Sequence, residues 1–165
     1  MTTIHASCVA VGATGVLVRG GSGAGKSRLA HRILLQAPLY GLEARLVADD
    51  RVALDRTAGG LLARPPEALR GLLEVRGVGI VRLPFAAEIR LGLVLDLLPL
   101  ADIPRMPDAG QSQVCLEGVT LPRAFAAGPE TGLEVLLTVM GQGGARLDPD
   151  LPLASVRFDG KTATY

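Results

Sequence analysis

Aromatic side chains are scarce in this sequence, whose 165 residues include three Phe, two Tyr and no Trp. The stacking platforms with which proteins bind single-stranded nucleic acids are therefore missing. The 17 basic and 16 acidic residues leave a formal net charge of +1, which gives no electrostatic footprint for nucleic acid or anionic lipid. We expect no nucleic-acid partner and no attachment to a membrane.

Cysteines and long apolar runs are scarce as well. Cys8 and Cys115 are too few for a disulfide framework, and we expect both thiols in the core. No stretch approaches the roughly 18 consecutive apolar residues of a membrane-spanning helix. The N-terminus also has no basic segment leading into an apolar one, as a secretory signal would. These features predict a cytoplasmic protein.

The sequence is rich in apolar residues and in glycine. Apolar residues make up 48% of the chain and charged residues 20%, which is enough for a buried core and excludes wholesale disorder. The length fits one domain over residues 1–165. The 21 Gly and 11 Pro residues predict many short elements.

Hydrophobic patterning predicts a strand, a loop and a helix near the N-terminus. Residues 6–11 and 15–19 are typical of two strands in a tight hairpin, and a helical pattern over 27–36 ends before Pro38. Further strands are expected at 44–48, 52–54, 61–63, 78–83 and 89–98, the last of them central, with a loop over 103–110, a helix over 132–140 and a turn-rich tail.

The loop between the second strand and the helix satisfies the phosphate-binding pattern G-x-x-x-x-G-K-[ST], with Gly20, Gly21, Ser22, Gly23, Ala24, Gly25, Lys26 and Ser27. Backbone N–H groups and the helix dipole at such a loop bind phosphate oxygens. Lys26 would reach the β- and γ-phosphates, and the Ser27 hydroxyl would supply an oxygen ligand to Mg²⁺. The alternative, a glycine-rich turn with a solvated lysine, is disfavoured by the strand and helix on either side.

Two adjacent carboxylates are candidates for the metal and for the reacting group. Asp49 and Asp50 follow the strand predicted over 44–48, at the sheet edge where α/β proteins collect their ligands. Consecutive strand residues point to opposite faces, so we expect one carboxylate to face the metal and the other the acceptor, if strand geometry persists. The alternative is a plain Asp-Asp turn.

Residues 4–82 resemble the catalytic domain of the bacterial HPr serine kinase/phosphorylase family, in its short, single-domain form. Ile4-His5-Ala6-Ser7 and residues 12–18 resemble the family's HG-x-x-V…G-x-GVLI opening, and the phosphate loop resembles its G-x-SG-x-GKS. RLVADD at 45–50 is similar to the family's HRLVADD strand, and LEVRGVGIV at 73–81 to its EIRG-x-GI signature. The last two segments are far more specific than a phosphate loop alone.

The resemblance implies an α/β P-loop kinase domain with a mixed, PEP-carboxykinase-like β-sheet. It also implies that ATP and Mg²⁺ are used to phosphorylate a serine of HPr, the phosphocarrier of the sugar phosphotransferase system, or of its nitrogen-related counterpart. Within this implied site, Asp50 is the catalytic carboxylate that accepts the seryl proton, and returns it if inorganic phosphate attacks phosphoserine. Asp49 belongs to the metal and acceptor site, Glu74 is the second magnesium ligand, Lys26 binds phosphate and His5 is an active-site histidine.

Two of these assignments also have a physical basis. His5, on the strand before the loop strand, could contact a phosphate oxygen or orient an attacking anion. Glu74 and Arg76 would share one strand face, so Arg76 would either brace Glu74 or touch phosphate. The alternative for this pair is a surface ion pair.

The sequence departs from the family pattern at three places. Arg28 follows the loop serine where family members commonly carry Glu, and residues 128–131 read GPET where the family has PGRN with an active-site arginine. That arginine is therefore missing or supplied by Arg123. The segment 140–144 does not resemble the region used for dephosphorylation, so the kinase direction is the better supported. The family's N-terminal domain has no counterpart here, which leaves a homo-oligomer and metabolite regulation open.

Other functions remain open from the sequence alone. A phosphate loop does not identify its acceptor, so a small-molecule kinase is the rival enzyme class. A nucleotide-sensing module in which the departures at Arg28 and residues 128–131 have abolished catalysis is the non-enzymatic rival. Plain nucleotide hydrolysis is a third alternative.

Overall fold

The computed structural model describes residues 2–158. The predicted single domain over 1–165 therefore extends beyond the described residues and stays a prediction. Within residues 2–158 the chain forms eleven strands and two α-helices: β1 (Thr2–His5), β2 (Ser7–Val11), β3 (Thr14–Gly20), α1 (Lys26–Gln36), β4 (Ala44–Ala48), β5 (Arg51–Thr57), β6 (Gly60–Arg64), β7 (Leu72–Val75), β8 (Gly79–Arg82), β9 (Ile89–Leu97), β10 (Gln113–Leu116), β11 (Val119–Ala126) and α2 (Pro129–Val139).

Nine of these strands form one mixed sheet, in the order β1-β5-β6-β9-β3-β2-β4, with β11 added beside β9 and β10 beside β11. The central strand is β9, as its apolar run predicts. It pairs in parallel with β3 and β11, and antiparallel with β6 at its beginning. Residues 93–97 of β9 are buried on both faces, which is typical of a strand inside a covered sheet. The α/β fold with a mixed sheet is thus confirmed.

The two faces of the sheet bury separate cores because side chains alternate along each strand. Val16 and Val18 of β3 pack with Leu29 and Ile33 of α1, on the face that carries the helices. Leu17, between the two valines, points to the opposite face, where β5 and β6 complete a second core. The β7–β8 hairpin is a separate two-stranded sheet, anchored to the helical face by buried Leu73.

Several elements were not predicted from the sequence. The edge strand β1 is short and exposed, so it carries no hydrophobic alternation. The β10–β11 hairpin turns at Glu117 and Gly118, which both have positive φ, and it includes Pro122 within a strand. A strand proline weakens the sequence signal because it cannot donate to the ladder. Helix α2 begins at Pro129 rather than at residue 132, since proline is favoured in a first helical turn.

The structure places the two cysteines differently. Cys8 is buried in β2 as expected, but Cys115 is exposed on β10, so the prediction of two core thiols was wrong for Cys115. β10 is paired with β11 alone, and alternation turns its Val114 and Leu116 toward the second core and Cys115 away from it. Among residues 2–158, no helix has the length and apolar character to cross a bilayer.

We predict that the folded protein reacts with one equivalent of a thiol reagent and the unfolded protein with two. Cys115 is accessible, whereas burial raises the pKa of the Cys8 thiol and keeps it from forming the reactive thiolate. Absorbance of the released chromophore, with and without denaturant, measures the count. Cys115→Ala is the control and should show no fast reaction. Fast labelling of both thiols in the folded protein would contradict the placement of Cys8.

Candidate active site

The connection between β3 and α1 is a glycine-rich turn over residues 20–25. Gly25 has φ 95°, in the left-handed region, and a Cβ at this position would lie 2.5 Å from Cγ of Pro129 in α2. A side chain would therefore both strain the backbone and push α2 off the loop. The first N–H groups of α1 follow directly and have no partner within the helix, so they are available to an anion.

Lys26 places a buried cation at the base of this loop. Its Nζ donates hydrogen bonds to the carbonyl oxygens of Gly20 and Gly21, at 3.0 Å each. Burial lowers the pKa of the Lys26 ammonium, and the neighbouring charges of Asp49 and Asp50 oppose that shift. Holding the charge there costs free energy, and an anion bound in the loop would offset that cost.

Asp49 is a buried carboxylate that connects three elements. Its Oδ1 accepts a hydrogen bond from Ser7 Oγ of β2 at 2.5 Å and another from Ser27 Oγ of α1 at 2.9 Å. Ser7 is fully buried and was not predicted as a site residue, because a single serine in an apolar strand carries no signal of its own. The three side chains together fix the end of β4 against the start of α1.

Asp50 differs from its neighbour in backbone and exposure. Its φ is 63°, a left-handed conformation that few residues other than glycine adopt, Asp being one of them. β4 has already ended at Ala48, so strand alternation does not continue through the pair, and both aspartates line the same cavity. The Asp50 side chain is 67% exposed, whereas Asp49 is buried. The two carboxylates therefore differ, as expected, but the cause is a turn and not strand alternation.

His5 lies beside Asp50, with Nε2 3.5 Å from Oδ1. The prediction that His5 belongs to the strand before the loop strand is wrong: His5 ends β1, which pairs with β5 on another part of the sheet. In that register His5 lies opposite Arg51, the residue after Asp50. The long-range β1–β5 pairing thus brings the histidine to the aspartate.

These groups surround a cavity of about 960 Å³ between the loop, α1, the aspartate turn and the β7–β8 hairpin. Glu74 and Arg76 both line it. Arg76, however, lies in the turn after β7, so the two do not share a strand face, and no ion pair joins them among the described residues. Gly20 and Gly21, at the start of the loop, are not part of the wall.

The charged side chains of the cavity wall are grouped by element. Helix α1 carries the cations Lys26, Arg28 and Arg32, the turn after β4 carries Asp49 and Asp50, and the β7–β8 hairpin carries both Glu74 and the cation Arg76. His31 and Arg32 were not predicted. The signal that could have found them is helical spacing, because each lies one turn after a loop residue, Ser27 or Arg28.

Arg28 joins the two helices at the edge of the cavity. Its Nη2 donates to Oε1 of Glu130, in the first turn of α2, at 2.7 Å. Two of the three places at which the sequence departs from the family pattern, Arg28 and residues 128–131, are therefore in direct contact.

Arg123 does not supply the missing arginine. Its Nε donates to Oδ2 of Asp96 at 2.6 Å, and Arg19 binds the same carboxylate. Neighbouring Ala124 and Ala126 of β11 face the helices, so alternation turns Arg123 to the other face of the sheet. Arg123 is not among the residues that line the cavity.

The residues present fit a magnesium ion. Magnesium prefers hard oxygen ligands, keeps several waters and takes only one or two protein carboxylates. Ser27 Oγ and Asp49 Oδ1 lie 2.9 Å apart on the cavity wall, and Glu74 lies on the same wall. Among the described residues, no group of three or more His, Cys, Asp or Glu lies close enough to hold a metal ion.

Fold and loop together define the class: an α/β P-loop domain with a mixed β-sheet and paired aspartates at the loop. Residues 1–86 match the family model described as the HPr Serine kinase C-terminal domain. The chain belongs to this family.

Individual relatives agree with the family model. The HPr kinase/phosphorylase of Brevibacillus brevis is 42% identical over 83 residues, which cover 50% of this chain and 25% of that protein. The HPr kinase/phosphorylase of Bordetella pertussis is 39% identical over 121 residues, covering 62% of this chain and 37% of the relative. The chain thus spans between a quarter and two fifths of the length of these relatives.

A solved structure shares the fold. The Hpr(Ser) kinase/phosphatase from Coxiella burnetii superposes with a TM-score of 0.66 at 21% identity, over 82% of this chain and 86% of that chain. At this identity the similarity concerns the fold.

We predict that Ser7→Ala lowers the free energy of unfolding by about 1.5–3 kcal/mol, the usual worth of a hydrogen bond to a charged group. The buried Asp49 carboxylate would keep only the Ser27 hydroxyl of its two hydroxyl donors. Urea denaturation followed by circular dichroism measures the change. Ser22→Ala, at an exposed loop position, is the control. Equal stability of the two variants would show that the Ser7 bond contributes nothing.

Proposed function

We propose that this protein is an ATP- and Mg²⁺-dependent serine kinase whose acceptor is an HPr-type phosphocarrier, acting in the cytoplasm. The observation that carries the proposal is the arrangement around one cavity: a phosphate loop with a buried lysine on one side, and an exposed aspartate with a histidine neighbour on the other. The names of the relatives support the choice of acceptor.

The loop residues would hold the donor. Backbone N–H groups of residues 20–25 and the start of α1 bind the phosphates, and Lys26 Nζ moves from the loop carbonyls to the β- and γ-phosphate oxygens. Ser27, Asp49 and Glu74 would hold Mg²⁺, which neutralises charge on the transferred group when bound. Asp49 already lies within hydrogen-bond distance of Ser27, so these two ligands are preorganised.

Asp50 would act on the acceptor. The seryl oxygen attacks the γ-phosphorus, the bond from the γ-phosphorus to the β,γ-bridging oxygen breaks, ADP leaves, and the seryl proton passes to the Asp50 carboxylate. Asp50 suits this role because it is exposed to an incoming macromolecule and held in a fixed left-handed backbone conformation. His5, 3.5 Å away, orients the carboxylate. Arg76, at the tip of the β7 turn, would contact phosphate.

The acceptor distinguishes this proposal from its rivals. Labelled ATP incubated with purified HPr-type carriers should label one serine, identified by peptide mapping, and should label no compound in a panel of small metabolites. Labelling of a metabolite alone would identify a small-molecule kinase. Saturable ATP binding without turnover on any acceptor would identify a nucleotide-sensing module, and release of phosphate without transfer would indicate hydrolysis.

We predict that Asp50→Asn lowers the rate of transfer to the carrier by at least about 100-fold, the lower end for a positioned acid or base. Its affinity for ATP should stay near that of the wild type, because the amide leaves the loop untouched. Single-turnover transfer and isothermal titration measure the two quantities. Asp55→Asn, a partly exposed residue of β5 outside the cavity, is the matched control. If transfer by Asp50→Asn persists at the wild-type rate, Asp50 is not the base.

We predict the opposite pattern for Lys26→Ala, which should weaken ATP binding itself by at least about tenfold. The variant removes the cation that reaches the terminal phosphates. Isothermal titration with ATP provides the measurement. Undiminished affinity would reject the assignment of this loop as the phosphate site.

A further inference from the structure

Arg28 and Arg32 form a cationic pair on one face of α1. They lie four residues apart, so their side chains are neighbours on the helix surface, and both line the cavity. Both point toward Glu130 at the start of α2, with Arg28 Nη2 at 2.7 Å and Arg32 Nη1 at 3.8 Å from the same Oε1. One carboxylate oxygen therefore faces two guanidinium groups, and the cluster keeps a net positive charge.

Arg32 has unused hydrogen-bonding capacity. Its Nε–H is buried and has no hydrogen-bond partner among the described residues. A buried donor without an acceptor costs free energy, and such groups in folded proteins call for an explanation. Arg32 lines the cavity, so a rotation of its side chain toward an acceptor atom of a bound molecule would satisfy this donor.

The direction of Arg28 places this cluster away from the reacting end of the nucleotide. Ser27 turns toward Asp49, whereas Arg28 turns toward Glu130. Lys26, which serves the β- and γ-phosphates, is about 200° around the helix from Arg28. With the β- and γ-phosphates at Lys26, the next phosphate along the nucleotide, the α-phosphate, is the one near the Arg28 side of the helix start.

We infer that Arg28 and Arg32 bind the α-phosphate of the nucleotide, and that Glu130 competes with the phosphate for the Arg28 guanidinium. This rests on the proposed use of ATP and extends it to a residue that sets nucleotide affinity. A guanidinium matches phosphate geometry with two parallel hydrogen bonds, and exchanging a carboxylate for a phosphate oxygen requires only a side-chain movement. Arg28 is 67% exposed, so this movement is unhindered.

A purely structural ion pair is the alternative, and it predicts a different pattern. Exposed salt bridges contribute little to stability, and removing either partner has the same effect. If the arginine binds the ligand and the carboxylate competes for it, the two losses change nucleotide affinity unequally. Loss of the arginine weakens nucleotide binding, whereas loss of the carboxylate does not.

The test compares Arg28→Gln with Glu130→Gln. We predict that Arg28→Gln weakens binding of MgADP by about tenfold, the loss expected for one charged hydrogen-bond partner. Glu130→Gln should bind MgADP as tightly as the wild type or more tightly, because an anionic competitor is gone. In transfer assays, Arg28→Gln should raise the KM for ATP and leave kcat within about twofold, as expected for a contact made equally before and during the reaction. Isothermal titration and initial rates supply the two measurements.

The controls separate affinity from folding. Arg45→Gln breaks an exposed Arg–Glu pair outside the cavity and should leave MgADP binding unchanged. The doubly exchanged variant, Arg28→Glu with Glu130→Arg, should keep a thermal stability near that of the wild type without recovering affinity. Equal losses of affinity in Arg28→Gln and Glu130→Gln, or no loss in Arg28→Gln, would overturn the inference.

Failure of the inference and failure of the proposed function are distinguishable. MgADP binding is measured without any acceptor, so it tests Arg28 even if no carrier is phosphorylated. Wild-type protein that binds no MgADP would reject nucleotide use altogether. If the wild type binds MgADP and Arg28→Gln binds it with the same affinity, only the role of Arg28 is rejected.

Discussion

The carboxylate of Asp49 is the interaction on which the site depends. It is buried, and it accepts hydrogen bonds from hydroxyl groups on β2 and α1, at the end of β4. A buried charge is tolerated only when its hydrogen-bonding capacity is used, so these elements must meet in one arrangement for the carboxylate to be stable. The same arrangement holds Ser27 and Asp49 together as two oxygen ligands beside the phosphate loop.

Packing between the helices sets the shape of the cavity around this carboxylate. Pro129 of α2 approaches Gly25 so closely that no side chain fits there, and Gly132 packs directly on Leu29 of α1. Two glycines, one in the loop and one in α2, thus allow the start of α2 to rest on the loop. This contact also brings Glu130 to Arg28, so the ion pair is a consequence of backbone approach as much as of charge.

The positions of the charged side chains around the cavity follow from which elements face each other. The turn after β4 presents two carboxylates, α1 presents three cations, and the β7–β8 hairpin presents Glu74 and Arg76, one charge of each sign. Two positions that look like independent departures from the family pattern in the sequence form one contact in the structure.

The sequence by itself determined the phosphate loop, its flanking strand and helix, the central strand β9 and the position of the aspartate pair after β4. These features are encoded by short patterns, whose spacing reflects one element at a time. It could not determine which face Arg123 occupies, that His5 reaches Asp50 through β1 and β5, or that Ser7 binds Asp49. Those contacts join residues far apart in the chain, and only the pairing register and the packing of the sheet bring them together.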